Sequence, residues 1–149
     1  MISMSAHTRA DYDRAVAYLS HDPVERSLFD ALEGDAQTFR LTTNRHDDDS
    51  YDPMTHTIHW DPHSALRTTG GASQSPALGL GHEVDHAVWD AQHGNALATR
   101  PDPHYDTLEE RRVITGSERH AARTLGEGIR TDHAGTAYRV DAPTAMLVG

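Results

Sequence analysis

The chain has 149 residues, no cysteine, and 23 acidic against 13 basic side chains, a formal charge of −10 at pH 7. That length fits one domain, 1–149, with a core that needs no staples, and zero cysteines exclude disulfides and thiolate metal sites, leaving histidine and carboxylate for any bound ion. The acidic balance argues against a nucleic-acid or anionic-membrane partner, no segment approaches about 18 consecutive apolar residues, and no ordinary export signal is visible at the start.

All 13 basic residues are arginine. A GC-rich genome is the bland explanation. The sharper one is a protein that works inside a foreign eukaryotic cell and offers no amine for ubiquitin.

Residues 1–9 read as a loose start. From Ala10 to Leu19, the spacing of Tyr12, Ala15, Val16 and Leu19 predicts an amphipathic helix. Asp22-Pro23-Val24-Glu25 is a capping box with proline at the first helical position, opening a helix through Leu28, Phe29 and Leu32 that stops at Gly34. Both helices are expected to cover the core and carry no chemistry.

Gln37 to Thr43 alternates and reads as a strand. Asn44 to Pro53, with Asp47-Asp48-Asp49, lacks the glycine and final glutamate of a calcium loop and reads as a solvated hairpin connection. Thr55 to Trp60 supplies the second strand, whose edge could take an extended peptide by strand addition. His56, His59 and His63 lie near it and read as ordinary exposed histidines. Asp61 to Leu66 is expected to form a turn of helix, and Thr68 to Gln74 a flexible loop.

Ser75 to Gly94 has the marks of a helix: a serine cap, Pro76 in the first turn, a glycine stop, and a stripe of Leu80, Val84, Val88 and Ala91. Inside it lies His82-Glu83-Val84-Asp85-His86. One turn apart on one face, His82 and His86 can grip a single divalent ion, and Glu83 lies beside that ion, free to take a proton from a water bound to it. The pattern is that of a zinc hydrolase, most often a peptidase. The bland alternative is a histidine-rich surface helix.

A catalytic zinc takes three protein ligands. His93 lies two turns from His86, too far along the axis. The spacing with a third histidine ten residues after the first fails, because Gln92 stands there and Trp89 replaces the glycine before it. Asn95 to Tyr105 reads as an irregular connection lining a cleft. The ligand must then come from the helix expected over 107–125, opened by Asp106-Thr107-Leu108-Glu109-Glu110. A capping box of Asp106 with Glu109 would occupy Glu109, whereas Glu110 shares a face with Ile114, Ser117, Ala121 and Leu125 that must turn inward. Glu110 is therefore the expected ligand, Glu109 the alternative and Glu118 an outsider. A competing box of Thr107 with Glu110, and a break of phase at Gly116, stay open. The glutamate that binds no metal should orient a histidine.

Together with Glu109-Glu110-Arg111-Arg112-Val113-Ile114-Thr115-Gly116, the pentad resembles short zinc peptidases used as secreted bacterial effectors and toxin domains, related in motif to clostridial neurotoxin light chains. Tyr51-Asp52-Pro53 and Ile58-His59-Trp60-Asp61-Pro62 add to the likeness, which runs from about Tyr51 to Tyr138. The resemblance implies Zn2+ held by His82, His86 and Glu110 and an α+β, zincin-like fold with a small antiparallel sheet. It also implies cleavage of a target-cell protein bound as an extended strand, after delivery by a specialised secretion apparatus without a signal peptide. Such peptidases add an arginine and, three residues later, a tyrosine that face the oxyanion. Arg130 fits the first, while His133 stands where the tyrosine is expected and Tyr138 is the other candidate donor. Arg130 could instead hold a carboxylate behind a ligand. Two further readings remain: a zinc hydrolase of a non-peptide amide, and a non-catalytic metal-binding module.

Overall fold

The computed structural model describes residues 1–147. Far from being loose, the start of the chain is built in: β1 (Ile2–Ser3) pairs with a later strand, and α1 (Ala6–Leu19) begins earlier than expected. It does so because Ser5 caps it, accepting a hydrogen bond from Thr8 N at 3.2 Å. α2 (Pro23–Gly34) opens on Asp22, which accepts from Glu25 N at 3.0 Å, but the other half of the expected box does not form, because Asp22 N donates to Leu19 O and the Glu25 carboxyl turns into the core. The two helices bury Tyr12, Ala15 and Leu19, and Phe29 and Leu32, against the core.

β2 (Phe39–Thr43), β3 (Ser50–Asp52) and β4 (Thr57–Trp60) join β1 in a sheet of order β1-β2-β4-β3. β2 and β4 run parallel, so the expected hairpin between them is replaced by a mixed sheet in which only β3 is antiparallel to its neighbour. The cause lies in the loop 44–49, which arches over the end of β4. Asn44 N donates to Trp60 O, Asp61 N to Asp49 Oδ1 and Asp47 N to Asp61 Oδ2. These bonds, two of them to aspartate side chains, satisfy an arch whose direction strand alternation cannot encode. β3 is left as an edge.

Residues 61–66 do not form a helical turn, because the Asp61 carboxylate accepts from His63 N at 3.0 Å in a local turn. The chain enters β5 (Ser64–Arg67) instead, and the expected loop 68–74 closes a hairpin with β6 (Ser73–Gln74). α3 (Pro76–His93) then crosses the middle of the molecule between the sheet and the first two helices. Leu78, Leu80 and Val84 are fully buried in it, whereas Ala91 is exposed. Trp60, also fully buried, donates its indole N–H to Pro76 O at 2.9 Å and ties the sheet to the start of α3.

The connection after α3 has more order than expected: a 3-10 turn (Ala96–Thr99) and a two-residue hairpin of β7 (Pro101–Asp102) and β8 (Asp106–Thr107). The helix expected over 107–125 is broken into α4 (Leu108–Val113), a wide π turn (Ile114–Glu118) and α5 (Arg119–Leu125). β9 (Thr136–Arg139) returns to pair with β5. The result is a mixed α+β fold with small sheets, in which no described helix is long and apolar enough to cross a membrane.

Candidate metal centre

Ser75 caps α3, its hydroxyl accepting from Leu78 N at 3.2 Å, and Gly94 ends it with a positive φ of 79°. Between these ends, helical geometry brings the imidazoles of His82 and His86 together, with Nε2 to Nε2 at 3.0 Å. Glu110, near the start of α4, completes the group: Oε2 lies 2.8 Å from His82 Nε2 and Oε1 lies 3.1 Å from His86 Nε2. The ligand atoms of these three side chains all lie within 4.8 Å of one another, so the group could hold a metal ion.

The donor chemistry tests the fit. His82 Nδ1 lies 2.8 Å from Glu118 Oε1, and His86 Nδ1 lies 2.8 Å from Glu109 Oε2. A carboxylate only accepts, so each Nδ1 carries the proton and, in the neutral ring, each Nε2 presents a bare lone pair. Two lone pairs and a carboxylate therefore converge, an arrangement that could hold a cation. Ligands about 2.0–2.2 Å from a tetrahedral zinc stand about 3.3 Å apart, within a few tenths of an ångström of these separations. Without an ion, protons must serve. Burial opposes charge on both rings, but hydrogen bonds to Glu110 and Glu118 raise the pKa of His82 well above its usual value. Those to Glu109 and Glu110 carry His86 up to about 9. Against its own burial, Glu110 is pushed far below the carboxylate range by the two rings.

Each histidine is backed by a glutamate and each glutamate by an arginine. Arg130 Nε donates to Glu118 at 3.0 Å, and Arg112 grips both oxygens of Glu109 at 2.8 Å. Burial of Glu118 is outweighed by His82 and Arg130, which hold its pKa at about 2. Arg112 is itself fixed by Asp85 at 2.8 Å and by the Trp89 ring, 4.2 Å from its guanidinium carbon. Pairing and hydrogen bonds offset the desolvation that burying these charges costs.

Glu109 and Glu110 are thus separated as expected, though not for the capping reason. Thr107 is the cap, accepting from Glu110 N at 3.1 Å, which uses the backbone of Glu110 and leaves its carboxylate free. Glu83 is 6% exposed and lies with Oε1 3.9 Å from His82 Nε2. No described group donates a hydrogen bond to it, and burial raises its pKa. It faces two clefts, of about 350 and 270 Å³, that meet at Asp49, Glu83 and His133.

The other expected residues divide. His133 is at the centre, Nε2 lying 3.7 Å from Glu110 Oε2, with its backbone N donating to His104 O at 2.9 Å. Arg130 is paired with Glu118 behind His82 and also lines the smaller cleft. Tyr138 is turned away: its hydroxyl donates to Met146 O and its ring lies under Arg67, while its neighbour Ala137 faces the cleft. His59 and His63 are engaged with Thr42 and the Val140 carbonyl. Neither they nor His56 line the two clefts.

Sequence reasoning missed Arg112, Asp85 and Asp49, and weighed Glu118 as a ligand when it is the support of His82. Arg112, three residues after Glu109 on a helix, had a readable ion-pair spacing. The others depend on contacts between distant segments. No family model matches the chain, and no curated protein or solved structure matches it.

Proposed function

We propose that this chain is a zinc-dependent metallopeptidase with a zincin-like fold. The observation that carries the reading is the convergence of His82, His86 and Glu110 on one point beside Glu83, a buried carboxylate that accepts no hydrogen bond from the described protein. Zinc bound by those three side chains would supply a Lewis acid, lowering the pKa of water and polarising a carbonyl. Glu83 is in position to take a proton from water and return it to the leaving amine, and its burial moves it towards the neutral range that suits both tasks. His133 is a side chain available to donate a hydrogen bond to an oxyanion, in place of Tyr138.

A peptide is favoured over a small amide by the surroundings. β3 is the outermost strand of its sheet, and Ser50 and Tyr51 from it line the larger cleft. An extended chain could pair with that edge and run past Glu83 from one cleft to the other. A closed chamber would have suited a small substrate better. Delivery into a target cell by a secretion apparatus is part of the same proposal; the absence of lysine fits it.

The test separates metal from mechanism. Glu83→Gln should retain stoichiometric zinc after mild chelation and dialysis, and lose about 10²- to 10⁴-fold in peptide cleavage. His86→Ala should lose the zinc. Full cleavage by Glu83→Gln would remove the mechanism, and zinc retention unaffected by His86→Ala would remove the site.

A further inference from the structure

The two clefts that meet at Glu83 are both lined with carboxylates, yet they differ in how those charges are balanced. In the smaller one, Glu118 pairs with Arg130, and Asp47 pairs with Arg139 at 3.1 Å. In the larger one, Glu109 pairs with Arg112 at 2.8 Å and Glu110 belongs to the metal centre. Asp49 and Glu83 line both clefts, Asp49 accepting from Asp61 N at 2.8 Å, and Asp90 and Asp106 line the larger one alone. Asp90 accepts from the Tyr51 hydroxyl at 2.9 Å, a neutral partner, and the Asp106 side chain has no partner among the described residues. No arginine or histidine nitrogen lies within 4.0 Å of either carboxylate, and no arginine lines this cleft.

Uncompensated aspartates on a chain this acidic are ordinary at an open surface. Two observations make this place different. Glu83, buried and unpartnered, points into the same space, so the cleft is built to receive a group at its inner end. The free edge of β3 runs along its wall, and a strand laid there sends alternate side chains into the cleft.

We infer that the larger cleft is a specificity pocket for a positively charged side chain, and that the substrate carries arginine or lysine at one fixed position beside the scissile bond. Asp90 and Asp106, which line the larger cleft alone, meet that charge, and in the smaller cleft Arg130 and Arg139 offset Glu118 and Asp47. This inference rests on the peptidase reading above. It adds the chemical class of the substrate, which the metal centre alone leaves open.

The experiment is cleavage of a random-sequence peptide library by the zinc-loaded protein, with new termini mapped by mass spectrometry at low and high salt. Arginine and lysine should be enriched about tenfold at a single subsite, and the enrichment should shrink as salt screens the aspartates. With the double variant Asp90→Asn/Asp106→Asn, the ratio of kcat/KM for an arginine peptide over its norleucine analogue should fall about tenfold. Asp106→Asn alone, at an exposed side chain with no partner to lose, gives the same readout if the double variant folds poorly. Cuts with no basic preference, or a preference that both variants keep, would overturn the inference and leave the peptidase reading intact. No cut in any peptide would overturn the peptidase reading and the inference with it.

Discussion

Glu25 enters the core from the first turn of α2 and presses its carboxyl against the backbone of Gly81, one residue before His82. A Cβ at position 81 would lie 2.6 Å from Oε2, so a larger residue there would have to displace the Glu25 carboxyl. Both carboxyl oxygens lack a hydrogen-bond partner and the residue is 0% exposed. Burial, reinforced by Asp85, Asp22 and Glu118, pushes its pKa from 4.5 to about 8. A raised carboxyl pKa means that, between these two values, the unfolded chain gives up a proton that the folded one keeps. Stability from this group is therefore full below pH 4.5, falls as pH rises towards 8, and levels off above. Glu25→Gln keeps the shape and removes the titration, so over that window it should gain on the native chain by an amount on the order of a few kcal/mol. Urea unfolding of both proteins across the window, with chelator present throughout, measures this. Parallel curves would show that Glu25 is not the buried neutral acid described here.

At the scale of elements, the π turn between α4 and α5 decides how the centre is closed. Glu110 and Glu118 both reach His82, one at each ring nitrogen, 2.8 Å away. In an uninterrupted helix, at about 100° per residue, positions eight apart would differ by about 80° in direction. A wide turn absorbs one residue, so the pair behaves as if seven apart and lies within about 20° of a common face. Gly116, with φ −103° and ψ −109°, is the residue at which the helical path opens. Gly116→Ala disfavours the open path at that residue, and a regular helix of unchanged length would turn Glu118 about 80° away from His82 and strand Arg130. Zinc affinity should then drop about 10- to 100-fold, as for loss of a group that orients a metal-binding histidine. Competition with a chelating dye reads the affinity while circular dichroism confirms that helix content persists; unchanged affinity would mean that Glu118 does not orient His82.

For the whole molecule, the candidate metal group joins α3, which is packed on nearly every side, to α4, which otherwise packs on the 3-10 turn, the β7–β8 hairpin and the π turn. His82 and His86 come from the first and Glu110 from the second, so an ion bound there links the two in the folded chain alone. At about a thousandfold excess over its dissociation constant, zinc would stabilise the fold by about 4 kcal/mol. For a domain of this size that corresponds to a rise in Tm on the order of 10 °C. Removing zinc by chelation should reverse it, and His86→Ala should show no zinc-dependent shift in scanning calorimetry. A native Tm indifferent to zinc would argue that the three side chains do not act as one ligand set.

The sequence by itself determined what a single helix can encode. Ser75, Pro76 and Gly94 bound α3, the pentad spacing sets His82 beside His86, the lack of cysteine restricts the ligands, and the glutamate pair at the start of the later helix offers the third side chain. Each of these follows from rotation and rise per residue over short separations. The tertiary structure alone decided the rest: the parallel run of β2 and β4, the pairing of His82 with Glu118 and of Glu118 with Arg130, the turn of Tyr138 towards Met146, and the unbalanced charge of Asp90 and Asp106. Glu118 stands 36 residues from His82, and Tyr51 stands 39 from Asp90. Over such distances one arch like 44–49, or one absorbed residue like Gly116, redirects everything that follows it, and no local periodicity records the change.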